Sequence, residues 1–141
     1  AQGGLTVEHI AAVLTVTREE NIFALVDQLG AGRRDEVLRG LFQMIQVSRE
    51  PGLRILAMLA RQLRMLVRAK IRGGPEARLA RELGVPPFVA GKLLRQVRSY
   101  DLDQLCGSLF AVAEADRALK GGALGDLRAL ERLSFSAMPR R

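Results

Sequence analysis

Apolar residues recur every three or four positions along most of this 141-residue chain, the spacing that places them on one face of an α-helix. The pattern predicts a short helix over residues 7–14, capped by Thr6. A second helix is predicted to begin at a capping box, Thr17 to Glu20, and to stop at Gly30 and Gly32. No stretch shows the sustained alternation of a strand. We therefore predict an all-α fold, a helical bundle of about six or seven helices with no sheet.

The segment over residues 51–72 predicts the longest helix and the centre of the bundle. Its apolar side chains cover two adjacent helical faces, so neighbours must pack on both sides. The other predicted helices are bounded by glycine, proline or capping residues, and they cover residues 33–47, 76–83, 86–100, 101–120 and 124–133. Residues 139–141 are expected to fray.

Composition restricts the class of protein. Hydrophobic residues make up 48% of the chain but aromatic residues only 4%, which favours a core of Leu, Val, Ile and Ala in packed helices. The single Cys106 excludes an intramolecular disulfide, and there is neither a signal-peptide pattern nor an apolar run of about 18 residues. These features predict a cytoplasmic protein with no membrane partner. The absence of an initiator Met at Ala1 suggests a piece of a longer protein.

Candidate chemistry is sparse. Neither the one His nor the one Cys is followed by another metal ligand at i+3 or i+4, so no metal site, catalytic residue or cofactor is predicted and the chain is not expected to be an enzyme. We expect His9 to lie on the surface and Cys106, on the stripe of Leu105 and Leu109, to be a small core residue. Asp116 continues that stripe and is predicted to form a buried or half-buried salt bridge.

The formal net charge of +7 is the strongest functional signal from composition, and it is concentrated on the central predicted helix. Arg54, Arg61 and Arg68 recur at seven-residue spacing, and Arg64 and Arg72 broaden the stripe. Such a stripe is commonly a solvated face. The alternative is a contact with an acidic neighbouring subunit or with a nucleic-acid backbone.

Two short predicted helices that meet at Gly84 present a second alternative, a helix-turn-helix DNA-binding module over residues 77–94. Against it, the turn contains Pro86 and Pro87, and the second helix offers few polar side chains near its start to read base edges. Direct nucleic-acid binding through this helix pair or the arginine stripe is kept as the second hypothesis.

Seven short blocks of sequence are informative when they are taken together and in order. They are NIFALVD at 21–27, ILAMLARQLR at 55–64, AK at 69–70, LGVPPFV at 83–89, KLLRQ at 92–96, AEADRALKG at 113–121 and LERL at 130–133. Each block is weakly specific, but the ordered set resembles the C-terminal region of the delta subunit of the bacterial DNA polymerase III clamp loader over residues 17 to 135.

The resemblance implies a non-catalytic collar domain that joins other clamp-loader subunits, gamma/tau and delta-prime, and so supports loading of the sliding clamp in DNA replication. Residues 1–16 would be the trailing helix of a preceding lid-like domain, and residues 17–141 the collar domain. The sliding clamp would be contacted through an N-terminal module missing here, and DNA only indirectly, within the complex. The candidate subunit-interface or basic-face residues are Arg54, Arg61, Arg64, Arg68, Lys120, Leu127 and Leu130.

Overall fold

The computed structural model describes residues 6–122 and 124–137, and all regular structure within them is helical. The α-helices are α1 (Val7–Ala31), α2 (Arg34–Phe42), α3 (Gly52–Arg72), α4 (Glu76–Leu83), α5 (Pro87–Gln96), α6 (Leu102–Lys120) and α7 (Asp126–Ala137). A π-helical segment, Gln43–Val47, extends α2, and a 3-10 turn, Val97–Ser99, follows α5. The all-α prediction is confirmed for this part of the chain, whereas the expected fraying of residues 139–141 lies outside it.

The first helix corrects one prediction. Residues 7–31 form one continuous helix rather than a short helix followed by a second one that starts at Thr17. No glycine or proline interrupts residues 14–17, so the backbone ladder continues. The Thr17 hydroxyl donates to the carbonyl of Val13 at 2.9 Å instead of capping a helix. The Thr6 cap is confirmed, because its hydroxyl accepts from the amide of His9 at 3.1 Å.

α3 is the central helix, as predicted, but it is not the longest, because the unbroken α1 has 25 residues and α3 has 21. It packs against α1, α5, α6 and α7 and also contacts α4, which requires apolar residues on more than one of its faces. Ile55, Leu56, Leu59 and Leu66 are fully buried there. These branched aliphatic side chains meet leucines of α1, α2, α4, α5, α6 and α7 in one continuous core.

Three hydrogen bonds cross this core and fix how α1, α3, α5 and the turn after α5 pack together. The Gln62 side chain on α3 donates to Gln96 Oε1 on α5 at 2.8 Å, and Gln96 Nε2 donates to the Phe23 carbonyl on α1 at 2.9 Å. The Tyr100 hydroxyl donates to the Val26 carbonyl at 2.6 Å. Both glutamines and the tyrosine are buried, so each bond satisfies groups that water cannot reach.

α6 begins at the predicted capping box. The Asp101 carboxylate accepts from the amide of Gln104 at 2.7 Å, and the Gln104 side chain accepts from the amide of Asp101 at 2.8 Å. Asp116 does form an ion pair, with Lys120 at 2.8 Å, but Lys120 is exposed and Asp116 is only partly buried, so the salt bridge lies at the surface and its predicted burial is wrong. The prediction for Cys106 is wrong, because its side chain is exposed.

The buried face of α6 is centred on small residues and explains this error. Ser108, Ala111 and Ala115 point into the bundle together with Leu105 and Val112. Cys106 lies on the far side of the helix from them, at about 100° per residue. The small side chains let α6 pack closely against both α3 and α7.

Candidate functional site

The outer face of α3 is a continuous basic surface. Arg54, Arg61, Arg64 and Arg68 are all exposed, and α3 contains no Asp or Glu. The structure therefore brings these four candidate residues together on one face, which we call the arginine face. Arg72 is exposed at the end of the same helix.

The two ends of the arginine face are partly neutralised. Glu50 lies 3.6 Å from Arg54 and 2.6 Å from Arg18, so it ties the start of α3 to α1. Arg72 lies 3.5 Å from Glu82 on α4. Within the described part of the chain, no acidic side chain lies within ion-pair distance of Arg61, Arg64 or Arg68. The uncompensated positive charge is thus concentrated in the middle of α3.

The other candidate residues lie on α6 and α7 and do not join the arginine face. Lys120 is exposed and paired with Asp116, and Leu127 is half-buried against the core. Leu130 is 0% exposed, so its prediction as a surface residue for an interface is wrong. It belongs to the buried face of α7 with Ala129 and Leu133, because α7 packs against α2, α3 and α6.

A groove between α6 and α7, the α6/α7 groove, is lined by small and apolar residues together with Glu114, Arg132 and Ser136. Its volume is about 470 Å³, and small residues, among them Gly107, Ala111 and Ala118, make up much of its α6 wall. Phe110 lines it and is 67% exposed. Sequence reasoning missed this residue. Its exposure could have been predicted from its position outside the apolar stripe of Leu105, Leu109 and Val112, because a side chain outside that stripe does not face the core.

A larger groove of about 550 Å³, the α1/α3/α5 groove, runs between those three helices. Phe88, which follows the two prolines that start α5, lies in it and is 68% exposed. Arg61 of the arginine face forms part of its wall. The sequence reasoning did not identify this groove, because its lining comes from three separate segments.

The described residues offer little chemistry beyond these surfaces. No group of three or more His, Cys, Asp or Glu is placed to hold a metal ion among residues 6–122 and 124–137. His9 is exposed near the start of α1. Burial raises the pKa of the Tyr100 hydroxyl far above its ordinary range, and the nearby charge of Asp27 adds to the rise. Tyr100 is thus a neutral core group that donates a hydrogen bond.

None of the helices within the described ranges is both long and apolar enough to cross a membrane. The helix pair around Gly84 does form, with Gly84 in the left-handed conformation between α4 and α5. α5 contributes Phe88, Val89, Lys92 and Leu93 to the lining of the neighbouring groove. The first turn of α5 thus presents an apolar groove wall rather than a row of base-reading polar groups.

The described residues thus form a helical bundle with two surface grooves and a basic face. Comparison with known proteins identifies its family. The sequence model of the family described as DNA polymerase III delta subunit, C-terminal domain, matches residues 19–136. The chain therefore belongs to this family.

A curated relative and a solved structure agree with the family match. DNA polymerase III subunit delta of Bacillus subtilis (strain 168) is 24% identical over 121 residues, which are 84% of this chain and 35% of the relative. The solved structure of the Bacillus subtilis DNA clamp loader delta protein superposes with a TM-score of 0.78 and 23% identity. That match covers 96% of this chain and 41% of the other, and it shows a common fold. The chain thus spans about a third of the length of the curated relative. The comparisons do not favour the helix-turn-helix alternative.

Proposed function

We propose that this chain is the subunit-assembly domain, or collar domain, of a clamp-loader delta subunit. It would hold gamma/tau and delta-prime subunits together and so support loading of the sliding clamp during DNA replication. The observation that carries the proposal is the family match over residues 19–136, nearly the whole bundle. In this proposal the chain is non-catalytic and cytoplasmic. A segment outside these 141 residues contacts the sliding clamp. The chain comes near DNA only as part of the assembled complex.

We place the first subunit contact at the α6/α7 groove. A protruding aromatic side chain next to a groove lined by small residues suits association with another protein, because the aromatic group buries a large apolar area at low cost in side-chain entropy. Phe110 has this position beside Gly107 and Ala111. Lys120 on α6 and Leu127 on α7 remain in the proposed interface. Leu130 is buried in the core and is not included.

The first turns of α1 are proposed to serve a different contact. Val7, Ile10 and Val13 are exposed apolar residues on this part of the helix. We propose that residues 1–16 pack against a preceding lid-like domain, with the collar domain beginning near residue 17. Because α1 runs through this boundary without a break, the helix would couple the two domains rigidly.

The test is co-purification of the chain with the gamma/tau and delta-prime subunits of the same organism. We expect association at micromolar concentration. Phe110→Ala should weaken it by about 2 kcal/mol, or roughly 30-fold, as truncation of a central aromatic residue typically does. Phe42→Ala is the matched control, because Phe42 is 54% exposed on α2 and lines neither groove.

The controls separate loss of contact from loss of fold. Far-ultraviolet circular dichroism must show unchanged helix content in both variants. No association of the folded wild-type chain at micromolar concentration would contradict the assembly proposal. Equal weakening by Phe42→Ala and Phe110→Ala would instead remove the α6/α7 groove from the interface.

A further inference from the structure

The α1/α3/α5 groove has features that collar assembly at the α6/α7 groove leaves unused. We propose that it binds an amphipathic helix of a partner protein, with apolar residues facing the groove floor and acidic residues facing α3. The proposal does not depend on the assembly function. It follows from the shape of the groove, its lining and the charges at its rim.

The floor of the groove is apolar and adaptable. Its volume of about 550 Å³ falls in the range of well-formed binding clefts. The apolar residues that line it come from all three helices and the loop before α5, and include Phe23, Met58, Met65, Val85, Phe88 and Val89. Unbranched methionines adjust to different apolar side chains, as they do in grooves that bind helices. The groove can therefore bury apolar side chains of different shapes from a partner protein.

Phe88 is the exposed anchor of this floor. It is 68% exposed although it lies beside an apolar groove that could have covered it. Large apolar side chains grouped at a concave surface mark interaction sites more often than single exposed ones do. An occupant that covers Phe88 would bury most of its ring.

The rim on the side of α3 and α5 is basic. Neither helix contains an acidic residue, and Arg61 and Lys92 both line the groove. The Lys92 ammonium lies 4.6 Å from the centroid of the Phe23 ring, which places this charge directly over the apolar floor. A carboxylate on the occupant would thus meet two cations at the edge of the floor.

Arg61 is the residue of the arginine face that lines this groove within the described part of the chain. It has no ion-pair partner among the described residues, so an acidic helix does not have to displace one.

The α1 wall distinguishes a protein helix from a nucleic acid. Glu19 and Glu20 of α1 also line the groove. Two carboxylates would repel a phosphate backbone placed in the groove, whereas a helix can turn a basic or neutral flank toward them. The charges thus predict the orientation of the occupant, with acidic residues toward α3.

The experiment is selection of binders from a random peptide display library against the intact chain, followed by synthesis of the enriched peptides. Binding is measured by fluorescence anisotropy at physiological salt. We expect the enriched peptides to combine apolar residues at helical spacing with acidic residues on one flank. A short single-stranded DNA serves as the competing probe.

Variants locate the binding. Arg61→Glu and Phe88→Ala should each weaken the synthesised peptides at least about tenfold, because one reverses a rim charge and the other removes the exposed anchor. Arg128→Glu on α7 and Phe42→Ala on α2 are the matched controls and should change binding less than about twofold. Circular dichroism checks that all four variants keep their helix content.

Three results would overturn the proposal. The first is enrichment of peptides without acidic residues, and the second is peptide binding that survives both Arg61→Glu and Phe88→Ala. The third is DNA binding that is tighter than peptide binding and lost in Arg61→Glu, which would assign the arginine face to nucleic acid.

Discussion

The buried pair Gln62 and Gln96 allows a quantitative test of how α1, α3 and α5 are held together. In Gln96→Leu the Gln62 amide loses its acceptor and the Phe23 carbonyl loses a donor. A buried polar group left unpaired costs about 1–3 kcal/mol, and a lost hydrogen bond about 1 kcal/mol. We therefore expect Gln96→Leu to lower the free energy of unfolding by about 2–4 kcal/mol, and Gln62→Leu by about 1–3 kcal/mol.

The double variant distinguishes this reasoning from simple loss of packing. When both residues are Leu, no side-chain amide remains unpaired, and only the bond to the Phe23 carbonyl is missing. The double variant should thus be more stable than Gln96→Leu alone, with a coupling of about 1–2 kcal/mol. Urea unfolding followed by circular dichroism measures this, and Gln46→Leu on the exposed π-helical segment is the control, expected within about 0.5 kcal/mol of wild type. Additive losses in the double variant would refute the account.

Two further predictions concern Tyr100. Its folded pKa is raised mainly by burial, so the stability it provides is fully present below the unfolded pKa near 10 and is lost as the pH rises above it, by about 1.4 kcal/mol per pH unit. Urea unfolding at a series of alkaline pH values should show this decline in wild type and not in Tyr100→Phe. Because Tyr100 is the only tyrosine in the sequence, tyrosinate absorbance reports its ionisation directly. Ionisation of Tyr100 near pH 10 in the folded chain would contradict the prediction. Gly30→Ala should destabilise the fold by about 1–3 kcal/mol in thermal unfolding, because the new Cβ would lie 2.7 Å from Tyr100 Cε2. The control is Gly107→Ala, whose new Cβ would meet open space. Equal stability of the two variants would refute the close contact at Gly30.

Helices and their ends could largely be predicted from the sequence, because the signals are local. The capping box at Asp101 and the stops at Gly84 and Gly121 depend on residues within one turn, and each lies where it was expected. The Thr17 box failed for a physical reason. A capping sequence starts a helix only where the residues before it are not helical. No residue before Thr17 interrupts α1, so the helix continues through this position.

Burial and surface grooves depended on contacts that the sequence does not reveal. On α6 the large residues suggested a buried stripe that included Cys106, but close packing placed Ser108, Ala111 and Ala115 inward. On α7 the sequence predicted Leu130 as a subunit-interface residue, but α2, α3 and α6 pack against α7 and Leu130 is buried. The arginine face was predicted correctly as a group on one helix, because helical spacing alone decides it.

Native mass spectrometry of the chain mixed with gamma/tau and delta-prime tests the central proposal most directly, since it counts the subunits in each complex. We predict a complex that contains one copy of this chain together with both partners, and a large reduction of that complex with Phe110→Ala. A folded chain that stays alone in the presence of both partners, or that forms complexes only with DNA, would contradict the proposal that this domain exists to assemble subunits.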